Sequence, residues 1–204
     1  MSDIKKTDNT YLADKVALRL GHLPGKHVIR VLDCYAGKGT IWRAVRELAG
    51  SKRKILVLPI EIKKDEDLLF HLPGDNERFL ETLDLTRFDV IDLDAYGVPY
   101  DQLRIIFRRE FRGWVFVTFI QAVFVQMPYG LLSEIGIPEQ MVKISPALLG
   151  KRGWKYFLEY LAKMGVRTVW IRQHQNKHYL AFNCAAPAAE HSDSPEGETL
   201  ANRP

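Results

Sequence analysis

The chain has 204 residues, of which 47% are hydrophobic, a length and composition that fit one domain with a substantial core. No apolar run approaches the roughly 20 residues of a membrane-spanning helix, and the polar first residues lack a signal-peptide core, so we expect a cytoplasmic protein without a membrane partner. The formal net charge of +4 is compatible with a nucleic-acid partner, although many soluble enzymes are equally basic.

Composition divides the chain into three parts. Residues 1–9 are polar and predict a flexible leader, whereas residues 185–204 are rich in Ala, Pro, Ser and Glu and predict a disordered tail. Between them we expect one domain over residues 10–184. The two cysteines, Cys34 and Cys184, are far apart and have no metal-ligand spacing, which predicts reduced thiols and no bound metal.

The first elements of the domain predict a nucleotide-binding corner. A helix is expected over about residues 10–20, and the β-rich apolar run Val28–Leu32 predicts a strand that is buried on both faces. The strand ends at Asp33 and is followed by small residues, including Gly37 and Gly39, and then by a second helix. Glycines let the backbone approach a ligand closely, and the free N–H groups at a helix start face that ligand.

The spacing within this corner excludes two other nucleotide-binding motifs. A dinucleotide fingerprint needs a third glycine where this chain has Trp42, and a P-loop needs a glycine where it has Leu32. The remaining pattern, Asp33 followed by Gly-x-Gly, resembles motif I of the class I S-adenosylmethionine-dependent methyltransferases. That resemblance implies S-adenosylmethionine as the cofactor, whose cationic methionine end suits a carboxylate at a strand tip. A structural strand–helix turn without a ligand is the alternative.

A second acid supports the same cofactor. Ile55–Ile60 predicts a second buried strand, and it ends at Glu61, where Rossmann-like folds bind ribose hydroxyls. An ordinary exposed glutamate in a charged run is the alternative. A brief third strand is expected over residues 70–72 and a helix over about residues 74–83. The pair Asp75–Asn76 at the start of that helix fits adenine contacts and a helix N-cap equally well.

The turn after the fourth predicted strand, Phe88–Leu93, carries the candidate acceptor site. In an open α/β sheet, ligands lie beyond the carboxyl ends of the strands, near the point where the strand order reverses, so this turn would lie beside the methyl donor. The turn resembles motif IV of the tRNA guanine-N2 dimethyltransferases, Asp-x-Asp-Pro-Phe/Tyr-Gly. The matching residues are Asp92, Asp94, Tyr96 and Gly97, with Ala95 in place of the proline.

The motif IV resemblance implies that Asp94 and Tyr96 are the catalytic residues. Asp94 would hold an exocyclic amine of a base, and the Tyr96 ring would stack on that base. The alternatives are that Asp94 binds cofactor or caps the next helix, and that Tyr96 is a packing residue. Alanine at position 95 leaves the loop freer than proline would.

The two motifs together assign the cofactor site and limit the substrate. The residues that the resemblance assigns to S-adenosylmethionine are Asp33, Tyr35, Ala36, Gly37, Gly39, Glu61, Asp75, Asn76 and Asp92. Residues 32–39 also look like the motif I of rRNA guanine-N2 methyltransferases. The resemblance covers roughly residues 28–120, and the C-terminal domain of the tRNA enzymes has no counterpart here, so their RNA specificity does not transfer.

The rest of the chain completes the predicted fold. The further elements expected are a helix over residues 100–111, a strand over 114–120, a helix over 154–164, and a hairpin of strands over 166–171 and 178–182. Residues 121–150 fit this alternation poorly and predict short helices in a substrate-facing insertion. We therefore expect an α/β, Rossmann-like, doubly wound and mostly parallel seven-stranded sheet that is closed by an antiparallel hairpin.

The function expected from these features is methyl transfer to an exocyclic amine of a nucleic-acid base, with RNA, either tRNA or rRNA, favoured over DNA. A small-molecule or protein methyltransferase and a non-catalytic methyltransferase-like binding module are the alternatives. Basic side chains that could contact phosphates are Arg104, Arg108, Arg109, Arg112, Lys151 and Arg152, although each is individually more typical of a solvated surface. A zinc site at His174 and His178 is not expected, because no acid or thiol is near them in sequence.

Overall fold

The computed structural model describes residues 11–62, 71–120, 127–145 and 151–184, together with the backbone pair 198–199. The helices are α1 (Leu12–Gly21), α2 (Thr40–Ala49), α3 (Asn76–Thr82), α4 (Tyr100–Arg108), α5 (Tyr129–Glu134), α6 (Glu139–Ile144) and α7 (Gly153–Lys163), and a 3-10 turn lies at Leu85–Arg87. The strands are β1 (Val28–Asp33), β2 (Lys54–Glu61), β3 (Leu72–Pro73), β4 (Val90–Leu93), β5 (Trp114–Ile120), β6 (Thr168–His174), β7 (Lys177–Asn183) and β8 (Glu198–Thr199).

The strands form one sheet in the order β3-β2-β1-β4-β5-β7-β6-β8. Strands β1 to β5 pair in parallel, whereas β7 lies antiparallel between β5 and β6. The predicted Rossmann-like, mostly parallel seven-stranded sheet with a closing antiparallel hairpin is therefore confirmed. The two-residue strand β8 adds to the β6 edge and was not expected, since it falls in the tail for which the sequence predicts disorder.

Helices cover both faces of the sheet, which explains the continuous apolar runs of its central strands. On one face, side chains of β4 and β5 pack with α3, α4 and α7 through residues such as Leu80, Leu103 and Phe157. On the other face, β1 and β5 pack against α1 and α2, where Val16 and Trp42 are buried. This second face holds α1 against the carboxyl ends of β4 and β5 and so brings its side chains to the candidate site.

Some predicted elements differ from the observed ones, and others lie outside the described residues. Strand β6 begins two residues later than predicted and extends to His174. The short helices expected in the 121–150 segment are present as α5 and α6, although residues 121–126 and 146–150 lie outside the described ranges. So do residues 1–9, residues 63–70 and most of the tail. No helix within the described ranges combines the length and apolar character that crossing a membrane requires.

A close approach between β4 and β5 requires glycine at position 113. A methyl group on Gly113 would lie 2.6 Å from the carbonyl oxygen of Asp89 and 2.6 Å from the Phe111 ring. We expect Gly113→Ala to destabilise the fold by about 1–3 kcal/mol, because overpacking there displaces backbone. Urea unfolding measures this, with Gly25→Ala as the control, since a methyl group there has nothing within 4 Å. Equal midpoints for the two variants would contradict the expectation.

Candidate functional site

The glycine turn after β1 lies between the ends of its two neighbouring strands. The backbone N–H of Cys34 donates to the carbonyl of Asp92 on β4 at 2.9 Å, and that of Ala36 donates to the carbonyl of Ile60 on β2 at 3.2 Å. Gly37 and Gly39 have φ angles of 50° and 67°, which side-chain-bearing residues rarely adopt. Because β2 lies on one side of β1 and β4 on the other, the turn occupies the point where the strand order reverses, where open α/β sheets bind ligands.

Glu61 reaches this turn from the neighbouring strand. It ends β2, and its Oε2 accepts a hydrogen bond from the Gly37 N–H at 3.0 Å. Two residues that the sequence assigns to one cofactor site are therefore in direct contact. The contact places the Glu61 carboxylate against the Gly37 peptide at the carboxyl ends of β1 and β2.

Asp75 and Asn76 have different surroundings although they are adjacent. Asp75 caps α3, since its carboxylate accepts from the Glu77 N–H at 2.9 Å, and this is the N-cap alternative that the sequence left open. Asn76 is buried, and its amide donates to the Cys34 carbonyl at 3.0 Å and accepts from the Gln102 side chain at 3.1 Å. Asn76 thus ties the loop after β1 to α3 and α4.

Asp92 forms a buried network with two other elements. Both oxygens of its carboxylate accept from the Arg19 guanidinium of α1, at 2.7 and 2.6 Å, and Oδ2 also accepts from the Trp42 indole N–H of α2 at 2.7 Å. Arg19 and Asp92 are each only 1% exposed. Burial raises the pKa of Asp92, whereas the Arg19 charge and these hydrogen bonds oppose the rise. The Asp92 side chain therefore faces α1 and α2, with donors on both oxygens.

Asp94 lies beyond the end of β4. It contacts α1 at Lys15, one helical turn before Arg19. Its Oδ2 lies 2.8 Å from the Lys15 ammonium, which is also buried, and its Oδ1 accepts from the Thr118 hydroxyl of β5. The Lys15 ammonium additionally lies 5.2 Å from the centre of the Tyr179 ring. These contacts fix the orientation of the Asp94 side chain at the carboxyl edge of the sheet.

Asp33 completes a group of three carboxylates at this edge. Its side chain is 5% exposed, and its Oδ1 accepts from the Tyr35 N–H at 3.4 Å. Burial, reinforced by the negative charge of Asp92, raises the pKa of Asp33 well above its usual range, although the Arg19 charge opposes this. Burial also raises the pKa of the Tyr35 phenol to about 12, so that side chain is neutral.

Tyr96 lies two residues beyond Asp94 and has a very different exposure. Its side chain is 71% exposed, whereas the intervening Ala95 is 6% exposed. Gly97 follows with a φ of 131°, and its carbonyl accepts from the Ile120 N–H of β5 at 3.0 Å. The turn therefore presents an aromatic ring to solvent two residues after the partly buried, oriented side chain of Asp94.

The arginines that could contact phosphates mostly bind other parts of the protein. Arg108 pairs with Glu81, and Arg104 lies 3.7 Å from Asp101. Arg109 donates to three backbone carbonyls, those of Leu80, Glu81 and Leu83, and so fixes the chain at the end of α3. Arg112 donates to the Cys184 carbonyl at 3.4 Å. These contacts leave the guanidinium groups of Arg104 and Arg108 half exposed.

The two histidines of the closing hairpin carry no metal-ligand set. His178 is 3% exposed and stacks on the Trp154 ring at a centroid distance of 4.0 Å. Burial lowers the pKa of His178 to about 4, so it is neutral at pH 7. Among the residues that the structure describes, no group of three or more His, Cys, Asp or Glu is arranged to hold a metal ion.

Sequence reasoning missed the contribution of α1 to this site. Lys15 and Arg19 are four residues apart and lie on one face of the helix, so both reach the end of β4. Their positions beside the apolar residues of the helix are the only sequence signal for this arrangement. Trp42, which excludes a dinucleotide motif, proves to be a hydrogen-bond donor to Asp92.

Comparison with known proteins identifies the fold. No protein-family model matches the chain, and no curated protein sequence matches it. A SAM-dependent methyltransferase from Archaeoglobus fulgidus aligns with 84% of this chain and 93% of its own, at 14% identity and a TM-score of 0.50. An O-methyltransferase family protein from Burkholderia thailandensis aligns with 88% of this chain and 57% of its own, at 11% identity and a TM-score of 0.50. At such identities the likeness shows the Rossmann-like fold of class I methyltransferases.

Proposed function

We propose that this protein is an S-adenosylmethionine-dependent methyltransferase that acts on an exocyclic amine of a nucleic-acid base. The observation that carries the proposal is the direct contact between Glu61 and the Gly37 N–H, at the point where the strand order reverses. An acid at the end of β2 and a glycine turn after β1 are the two groups that recognise a nucleoside in this type of sheet. Asp94 lies at the end of the neighbouring β4.

The residues at the turn fit this cofactor chemically. A methyl group built on Gly37 has nothing within 4 Å, so open space adjoins the turn. Glu61 can accept hydrogen bonds from ribose hydroxyls, and Asp33 provides a carboxylate for a positively charged methionine end. Tyr35, Ala36 and Gly39 shape the turn by their backbone, and the cofactor supplies an electrophilic methyl group when it is bound.

Asp75, Asn76 and Asp92 have supporting roles in this proposal. Asp75 caps α3 and Asn76 holds the carbonyl of Cys34, so both fix the loops that surround the adenosine end of the site. Asp92 binds Arg19 and Trp42, and it positions β4 rather than contacting the cofactor. This revises the cofactor contact that the sequence predicts for Asp92.

Asp94 and Tyr96 hold the acceptor in the proposed reaction. A carboxylate has about four lone-pair sites, so Asp94 can accept a substrate N–H in addition to its bonds from Lys15 and Thr118. The exposed Tyr96 ring provides a stacking surface for a planar base. In-line methyl transfer depends mainly on such positioning, with the amine lone pair aimed at the methyl carbon.

A nucleic-acid substrate is supported by the chemistry of this turn and by the charge of the chain. The net charge of +4 favours a polyanion, and aromatic side chains beside polar groups typify sites that bind unstacked bases. A base must leave the helical stack to reach Asp94, and single-stranded loops of tRNA or rRNA offer such bases most readily. We therefore favour RNA over DNA.

The proposal is tested by incubating the protein with S-adenosylmethionine that carries a tritiated methyl group. Total RNA, DNA and protein fractions serve as separate acceptors. We expect the label in RNA, in a product that nuclease digestion releases as an N-methylated nucleoside. Label that enters protein only, or cofactor binding without transfer to any fraction, would overturn the nucleobase assignment.

Glu61→Gln is expected to weaken S-adenosylmethionine binding about tenfold, since a charged acceptor binds hydroxyls roughly twice as strongly as a neutral one. Calorimetry measures the dissociation constant. Glu47→Gln, on the surface of α2, is the matched control and should leave the constant unchanged. An unaltered constant in Glu61→Gln would contradict the assignment of the ribose to β2.

A second candidate function is a methyltransferase-like module that binds cofactor without catalysis. The observation that favours it is the pairing of Asp94 with Lys15 and Thr118, which occupies part of the acceptor capacity that an amine would need. This candidate predicts cofactor binding but no label in any fraction, an outcome that the tritium experiment distinguishes from the first.

A further inference from the structure

Three carboxylates and two cations are packed together at the carboxyl ends of β1 and β4. Arg19 pairs with Asp92 at 2.6 Å, and Lys15 pairs with Asp94 at 2.8 Å. These pairs balance in charge, and Asp33 stands as the third carboxylate. The group as a whole therefore carries one negative charge in excess when all its members are ionised.

Asp33 has no cation of its own among the residues that the structure describes. Its carboxylate is buried and accepts one long hydrogen bond, from the Tyr35 N–H at 3.4 Å. The neighbouring Cys34 thiol and Tyr35 phenol do not supply a charge, because burial raises the pKa of both groups, that of Tyr35 to about 12. A buried, unpaired carboxylate is costly and normally takes up a proton instead.

The charged groups that face Asp33 from other elements act in opposite directions. Asp92 and Asp94 from the end of β4 disfavour its ionised form, whereas Arg19 from α1 favours it. The Arg19 charge is already engaged by both oxygens of Asp92, at 2.7 and 2.6 Å. Burial and the two neighbouring carboxylates therefore raise the pKa of Asp33 and favour its neutral form, although the Arg19 charge opposes this.

We propose that Lys15 and Arg19 are positioning residues that reserve Asp33 for a positively charged ligand, by pairing one-to-one with Asp94 and Asp92. The inference rests on the proposed function for the identity of the ligand, a molecule with an ammonium or sulfonium group. When the cation binds, the Asp33 carboxylic acid loses its proton to solvent and the carboxylate pairs with the ligand. The only covalent bond that breaks is the O–H bond of the Asp33 carboxylic acid. The positive charge of the ligand takes the place of the released proton.

The first test is an NMR titration of the protein without cofactor. Aspartate labelled with carbon-13 at the carboxyl group is titrated by NMR, with Asp33→Asn to assign the signal. We expect the aspartate with the highest midpoint, well above the roughly 3.9 of a free side chain, to disappear in Asp33→Asn. Persistence of that signal in the variant would overturn the inference.

Stability against pH gives an independent reading of the same proton. An aspartate with a raised pKa binds more protons in the folded state, so its contribution to stability is lost as pH rises from about 3.9 through the folded-state value. The melting temperature of the wild-type protein should therefore fall relative to that of Asp33→Asn over this range. If the melting temperatures of the two proteins changed equally with pH over this range, the inference would be contradicted.

Calorimetry with S-adenosylmethionine tests the exchange itself. Titrations at one pH in two buffers of different ionisation enthalpy should reveal release of up to about one proton per bound cofactor, and none in Asp33→Asn. Asp101→Asn, on the exposed surface of α4, is the matched control and should keep the release. Binding without buffer dependence overturns the exchange, whereas absence of binding overturns the proposed function and leaves the apo titration to decide on Asp33.

Lys15 variants distinguish positioning from a merely structural role. Lys15→Met removes the ammonium group that pairs with Asp94. We therefore expect a second aspartate signal in the NMR experiment whose titration midpoint lies above that of a free side chain. Lys15→Arg restores the pair and should return the titration to the wild-type pattern. A Lys15→Met protein with an unchanged titration would show that Lys15 does not set the charge of this group.

Discussion

Replacement of Arg19 by methionine is expected to lower the free energy of unfolding by about 3–5 kcal/mol. The variant leaves the Asp92 carboxylate buried with the Trp42 N–H as its remaining side-chain donor. Removing one partner of a buried pair is costly because the other charge stays uncompensated away from water. Denaturant unfolding followed by circular dichroism measures the loss.

Two further variants separate this effect from general damage to α1. The double variant Arg19→Met/Asp92→Leu replaces the pair by apolar side chains and should recover most of the lost stability, since such replacements are often neutral. Arg104→Met removes an exposed pair with Asp101 and should cost within about 1 kcal/mol. If Arg19→Met unfolded like Arg104→Met, the buried network would not be the element that fixes α1 to β4.

The sheet and the glycine turn were predictable because their signals are local. Strands β1, β2 and β4 are short β-rich runs that end in an acid or directly before one, and such runs alternate with helical spacing. The meeting of Glu61 with the turn after β1 also followed, because parallel neighbouring strands place their carboxyl ends at one edge. These inferences needed no knowledge of side-chain packing.

The contribution of α1 was not predictable in the same way. Arg19 and Asp92 are 73 residues apart, and Lys15 and Asp94 are 79 residues apart. A charged residue on a helix is ordinarily solvated, and only the rotation of α1 on the sheet decides that these two are buried. That rotation follows from the packing of Val16 and Leu18 in the apolar core between α1, α2 and the sheet, which a linear pattern does not specify.

The arginines at the end of α4 show a second limit of the sequence. Their outward positions on the helix suggested phosphate contacts, yet Arg109 caps the end of α3 through three carbonyls and Arg108 pairs with Glu81. Helix α4 packs beside α3, so both side chains contact α3, although the Arg108 guanidinium stays half exposed. The spacing of the arginines in the sequence identified the face of α4 on which they lie, but not that this face packs beside α3.

Substitution of Asp94 by alanine is expected to reduce methyl transfer by at least about 100-fold, since misplacement of a reacting group by an ångström has that effect. The variant loses the carboxylate that would hold the amine, but the glycine turn and Glu61 are unchanged, so cofactor affinity should stay within about threefold. Tritium transfer into the best acceptor RNA and calorimetry with S-adenosylmethionine measure the two quantities on the same preparation.

Lys15 complicates the interpretation of this variant and also supplies its control. Alanine at position 94 leaves the buried Lys15 ammonium without its carboxylate, which by itself destabilises the fold. The double variant Lys15→Met/Asp94→Ala removes both charges and should recover stability while methyl transfer stays absent. Recovery of transfer together with stability would assign the loss to folding rather than to the acceptor site.

Asp94→Asn decides whether charge or hydrogen-bond geometry matters more at this position. The amide oxygen can still accept an N–H from the substrate, but a neutral acceptor forms a bond about half as strong as a carboxylate does. We expect transfer between that of the wild type and that of Asp94→Ala, about tenfold below the former. Full activity in Asp94→Ala would remove Asp94 from the acceptor site, and the exposed Tyr96 would then be the nearest remaining residue of motif IV to bind the base.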